Sequence, residues 1–191
     1  MMKTVKINKF AVVNISRCSD VALESLPNSV HIHGDLISAF GRTVVKSLPN
    51  DLMVSMNFYA LYSGLTEIPR SLVVGGDAQF AHCPIKKVYS EIIVGHLVLH
   101  STLIESLPDN MHIYNSLNLA ECVNLEKLPM NMQVDGEINI CGCQKLNDIP
   151  NDIRTKRIKY DRLTGFYKDK NKLQEIRRRF LNRIQLLFVD R

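Results

Sequence analysis

Residues 106–129 read SLPDNMHIYNSLNLAECVNLEKLP, and residues 128–150 read LPMNMQVDGEINICGCQKLNDIP. Laid over each other, the two stretches share the template LPxxLxVxxxLxLxxCxxLxxLP. Its marker is an apolar residue followed by Pro. The marker recurs at Leu26-Pro27, Leu48-Pro49, Ile68-Pro69, Leu107-Pro108, Leu128-Pro129 and Ile149-Pro150, with Val88-Tyr89 as a degenerate copy. The steps between markers are 22, 20, 20, 19, 21 and 21 residues. A near-constant period of this length means a solenoid. One repeat cannot bury its apolar face alone, so neighbours stack and share a continuous core.

Inside each repeat an L-x-L segment alternates at period two: Val13/Ile15, Leu36/Ser38, Phe58/Ala60, Ala78/Phe80, Leu97/Leu99, Leu117/Leu119 and Ile138/Ile140. That spacing puts both outer residues on one face and the middle residue on the other. A ladder of small residues follows three positions later: Cys18, Gly41, Ser63, Cys83, Thr102, Cys122 and Cys143. Because these cysteines recur with the repeat, they read as buried structural thiols rather than as a zinc site or disulfides. Pro on the return path favours extended backbone and disfavours helix in the residue before it. Returns this short leave no room for a full helix. The fold expected is a mostly β solenoid, a leucine-rich repeat arc with short parallel strands on its concave face and extended convex segments.

Composition bounds the remainder. The 46% apolar content supports a continuous core, and no apolar run is long enough to span a bilayer. The opening MMKTVKINKF has lysines but no apolar stretch of the kind a secretory signal needs. Cysteines at buried slots fit a reducing compartment. The net charge of +5 hides an asymmetry, since residues 154–191 carry 13 Lys/Arg against 4 Asp/Glu. That segment is strongly basic and the repeat body mildly acidic, which is the pattern of a chain with an acidic partner.

The domain reading is a solenoid of about seven repeats over 1–160 and a basic amphipathic capping helix over 161–191. Within the latter, 168–188 carries Leu173, Ile176, Phe180, Leu181, Ile184, Leu187 and Phe188 on one face at period 3.6. Lys172, Arg178, Arg179 and Arg183 lie off that face. The helix can cover the end of the core. Its basic side can dock on nucleic acid or anionic membrane, with the repeats as scaffold. Its apolar stripe can also self-associate.

A protein partner is expected on the concave face. The middle residues Ile37, Tyr59, Gln79, Val98, Asn118 and Asn139 face it, joined by Asn57, Asp77, His96 and Leu61 two positions before or after. Tyr59 and Leu61 beside Ile37 make an exposed apolar cluster with one aromatic, the composition of a binding patch. Catalysis and metal binding are not expected, and no cofactor is implied. His31/His33 and His96/His100 pair at alternate strand positions without a third ligand. Cys141 points outward by register and Cys143 inward, and Cys141 has no nearby base.

The template resembles bacterial leucine-rich repeat proteins with short Pro-marked repeats, including the repeat domains of type III secreted effectors. It covers roughly residues 10–155 and is carried best by the two stretches quoted above. The resemblance implies export from a bacterial cytoplasm into host cytosol and binding of a host protein. A purely bacterial or phage role is equally allowed by the residues. Some such effectors carry a Cys-based ubiquitin ligase domain after the repeats. The stretch beyond the repeats here is too short for one, so ligase activity is not implied.

Overall fold

Strands that alternate apolar and polar residues bury one face and leave their backbone groups at both edges to be paired by neighbours. The computed structural model, which describes residues 12–19, 29–37, 47–89 and 94–190, pairs them turn upon turn. The chain forms a parallel β-solenoid of about six coils with one short helix near the C-terminal end. Along the main sheet, Leu36, Phe58, Ala78, Leu97, Leu117, Ile138, Ile158 and Leu186 stand in direct parallel register. A second ladder joins His31–Ile32, Met53–Val54 and Val73–Val74, and resumes through His112–Ile113, Gln133–Val134 and Arg154–Thr155. A third pairs Glu67–Ile68 with Lys87–Val88 on the Pro-marked return. The marker residues Ile68 and Val88 therefore sit on extended backbone. Leu26-Pro27, Ser38 and Gly41 lie outside the described residues.

The core runs through the centre of the coil. Phe58, Phe80, Leu97, Leu117, Leu119, Ile138 and Ile140 are fully buried, and Phe58 meets Phe80 edge to face at 5.2 Å. The small-residue ladder serves it as hydrogen-bond donors. Cys83 Sγ donates to the Ala60 carbonyl at 2.8 Å, Cys122 Sγ to Leu99 at 3.0 Å and Cys143 Sγ to Leu119 at 3.1 Å. Thr102 Oγ1 does the same to Leu99 at 2.8 Å. These carbonyls leave the strand at the corner, so a short inward donor satisfies them without an extra water.

Most described corners are turned by a residue in the left-handed region: Tyr62, His82, Ser101, Glu121 and Gly142 after the main strand, and Ser29, Asp51, Ser71, Asn110 and Asn131 after the Pro marker. For a non-glycine residue this costs about 1–2 kcal/mol. The cost is offset because the same corner aims its N–H at the next coil, as in Tyr62 to Ala81 at 3.0 Å and Glu121 to Cys141 at 2.8 Å.

The ends differ from the sequence expectation. In the first strand, Val12–Ser19, it is Cys18 that pairs with Leu36, while Val13 pairs with Ile32. The first L-x-L therefore does not fall at Val13/Ile15, and Cys18 holds a strand position. At the other end, the helix expected over 168–188 spans only Lys170–Phe180 (α1). Asp169 caps it, accepting from the N–H groups of Asn171 and Lys172 at 2.9 and 3.1 Å. It stops where Leu181 turns extended and Asn182 goes left-handed. The chain then adds a strand, Gln185–Phe188, parallel to Arg154–Tyr160. Leu186 and Phe188 also alternate at period two, and pairing with an open sheet edge outweighs continuing the helix. Leu181, assigned to the helix's apolar face, is 70% exposed.

The last full coil holds an extra residue between Tyr160 and Thr164. Asp161 absorbs it: its buried Oδ1 accepts from Gly142 N at 2.9 Å, where earlier coils use a backbone carbonyl. Thr164 Oγ1 then reaches the Ile140 carbonyl at 3.2 Å, continuing the small-residue ladder.

The coils nest too closely for some side chains. A Cβ on Gly136 would stand 2.4 Å from the backbone oxygen of Asn115. Gly136→Ala is expected to cost about 1–3 kcal/mol, read as a lower urea midpoint at unchanged m-value.

Candidate interaction surface

The main sheet has one face in the core and one outside. Its outer row is Ile37, Tyr59, Gln79, Val98, Asn118 and Asn139, in unbroken register and each half-exposed. Neighbours lie about 4.8 Å apart, the spacing of paired strands. The structure therefore brings six of the ten predicted residues into one line. Leu61, half-exposed, extends the patch beside Tyr59. Its column reaches the surface again at half-exposed His100, while Ala81, Ala120 and Cys141 are buried. The expectation that Cys141 points outward is thus corrected. The corner begins one residue after the strand and folds that position under the next coil.

Asn57, Asp77 and His96 form a second row that is partly structural. Asp35 Oδ1 accepts from Asn57 N and Nδ2 at 2.9 and 3.1 Å. Asn57 Oδ1 accepts from Asp77 N at 2.9 Å, and Asp77 Oδ1 from His96 N at 3.2 Å. Each side chain satisfies the coil above it. Asn118 and Asn139 fold back similarly, onto Ala120 N at 3.0 Å and Cys141 N at 3.1 Å. The side chains in these rows whose surface is not spoken for by such bonds are Ile37, Tyr59, Leu61, Gln79, His96 and Val98.

Sequence reasoning missed a ridge along the edge of this face. Tyr62, 55% exposed, stacks on His82 with ring centroids 4.5 Å apart and planes 5° from parallel. His82 meets His100 edge to face at 5.0 Å. His100 Nδ1 lies 3.0 Å from the Ala120 carbonyl, which can only accept, so Nδ1 carries the proton. Tyr62 and His82 occupy the left-handed corner. The signal was present: both hold the last x of LxLxxC, directly before the small residue, a column whose rings must stack once the corners superpose.

Charge is graded across the face. Asp35 and Asp77 lie on the N-terminal half. Arg157 and Lys159 lie at the far end, both on Glu137, at 3.4 and 2.7 Å.

Part of the basic tail is spent on internal contacts, while Lys168, Lys170, Arg177 and Arg178 stay exposed. Arg179 pairs with Asp148 and donates to the Ile149 carbonyl at 3.0 Å and Asn151 Oδ1 at 2.8 Å. Arg183 donates to the Asn151 carbonyl at 3.1 Å. Of the three predicted cations, Arg178 alone is exposed with no polar contact. The tail's charge thus fastens α1 to the coil beneath it, while Leu173, Ile176 and Phe180 enter the core.

Among the described residues, no group of three or more His, Cys, Asp or Glu is placed to hold a metal ion. His31 and His33 adjoin at 4.1 Å between ring centroids. No described helix is long and apolar enough to cross a membrane. No family model, curated protein or solved structure matches the chain.

Burial pushes the thiols of Cys83, Cys122 and Cys143 above their ordinary value. A thiolate-specific reagent at about pH 8 is expected to leave these three unlabelled in the folded protein and to label them in urea, as read by peptide mass spectrometry.

For Asp148, burial alone would raise the carboxyl, but hydrogen bonds from Lys172 and Arg179 more than offset it and hold it below its ordinary value. A depressed carboxyl contributes stability above the ordinary carboxylate range, and that stability is lost as pH falls through the folded value. Asp148→Asn is therefore expected to lower the thermal midpoint at pH 7 and to match the wild type near about pH 2.

Proposed function

We propose that this chain is a non-enzymatic recognition solenoid that binds a protein partner on the outer face of its main sheet. The reading rests on the half-exposed cluster Ile37, Tyr59 and Leu61, carried on a rigid parallel ladder. Rigid presentation lowers the ordering cost of binding, and Tyr is enriched among the residues that dominate interface energy. The Tyr62–His82 ridge borders the cluster, and Asp35 and Asp77 flank it. These features favour a partner with an apolar anchor and positive charge. The Pro-marked template supports the more specific proposal of a bacterial effector that acts on a host protein in host cytosol.

The second reading, docking of the basic tail on nucleic acid or anionic membrane, retains the exposed cations Arg154, Lys156, Lys168, Lys170 and Arg178. Internal pairing of Arg179 and Arg183 weighs against the helix as its centre.

Tyr59→Ala/Leu61→Ala should lose partner capture from a host-cell lysate, with an unchanged thermal midpoint, and capture by the wild type should survive high salt. Capture unaffected by the double substitution would remove the outer face from the proposal. Binding of nucleic acid or lipid that falls steeply with salt and needs Arg178 would favour the second reading.

A further inference from the structure

The last strand, Gln185–Phe188, pairs with Arg154–Tyr160 on one side and, among the described residues, with no strand on the other. Leu186 and Phe188 hold inward register positions, opposite Ile158 and Tyr160. The equivalent residues of earlier coils, such as Leu117, Leu119, Ile138 and Ile140, are no more than 1% exposed. Here both are only half-buried, as is Tyr167, whose ring stacks on Phe188 at 5.2 Å. The core is open at this edge even though α1 is docked. Nothing guards the edge either: Gln185–Phe188 contains no charge and no proline.

Its backbone geometry indicates what fits. Val189 N donates to the Tyr160 carbonyl at 2.8 Å. Backbone groups alternate sides along a strand, so Leu187 and Val189 face the strand already paired. Leu186 and Phe188 therefore direct their N–H and C=O groups outward, where they need partners.

We propose that a second copy of this chain docks here, strand against strand, antiparallel about a two-fold axis at Leu187. An axis perpendicular to the sheet keeps both cores on the same side. Leu186 of each copy then opposes Phe188 of the other, and these pairs exchange the outward hydrogen bonds while the two open cores close on each other. Gln185 opposes Val189. Leu187 meets its own counterpart at a non-hydrogen-bonded pair, where side chains approach most closely. The strand is thus its own complement, apolar against apolar on the core side. The contact is isologous and closes at two copies. It leaves the Ile37–Tyr59–Leu61 cluster uncovered and does not depend on the partner proposed for it.

The test is sedimentation equilibrium on the full chain. Wild type is expected at twice the monomer mass. Leu187→Lys and Leu187→Glu should each weaken the dimer at least about tenfold by setting like charges against each other. Folding should be unchanged, since Leu187 lies on the outer face opposite Lys159. An equal mixture of the two variants should recover the dimer. A wild type that stays monomeric, a dimeric Leu187→Lys, or a mixture that stays apart would each overturn the proposal. If a charged variant loses cooperative unfolding, hydrogen exchange on the wild type decides. The amides of Leu186 and Phe188 should gain protection as concentration rises, and concentration-independent exchange would refute the contact.

Discussion

Everything in this molecule depends on the parallel hydrogen-bond ladder that carries one coil onto the next. Paired strands sit about 4.8 Å apart, so each coil must retrace the path of the one beneath it. That demand selects the residues at the corners. It accepts Tyr62, His82 and Glu121 in the left-handed region because each corner N–H then meets a carbonyl of the following coil. It also explains the buried donors. Cys83, Cys122, Cys143, Thr102 and Thr164 are interchangeable there because the position needs only a short side chain with a hydrogen to give.

The same ladder divides polar side chains into those it uses and those it leaves. Asp35, Asn57 and Asp77 are spent on the next coil's N–H groups, and Asn118 and Asn139 on their own strands. What remains on the outer face is a small apolar cluster, a ring-stacked ridge and a gradient of charge. The thiols of the inner ladder take no part in this face, being buried where a thiolate is disfavoured.

Length variation is absorbed where the ladder can be bypassed. The extra residue after Tyr160 is accommodated by the Asp161 side chain in place of a carbonyl. In the final coil, α1 replaces the extended return. Arg179, Lys172 and Arg183 then hold it against Asp148 and the Asn151 carbonyl. Three cations of the most basic part of the chain thus act as a fastening. Half-exposed ion pairs of this kind contribute modestly, so the buried Leu173, Ile176 and Phe180 carry most of the docking.

The sequence by itself determined the solenoid, the inward and outward residues of the L-x-L segments from Phe58/Ala60 to Ile138/Ile140, and the structural role of Cys83, Cys122 and Cys143. These follow from strict periodicity, and a period constrains every copy at once. Tertiary structure decided what periodicity does not carry. It set the pairing of Cys18 with Leu36 and buried Cys141 at a corner. It also turned Leu186–Phe188 from helix to strand, because the open edge of Arg154–Tyr160 offered hydrogen bonds that no local pattern records. The Tyr62–His82 stack belongs to the same class. Two residues twenty apart become neighbours only when coils superpose, and their contact is a property of that superposition rather than of either residue.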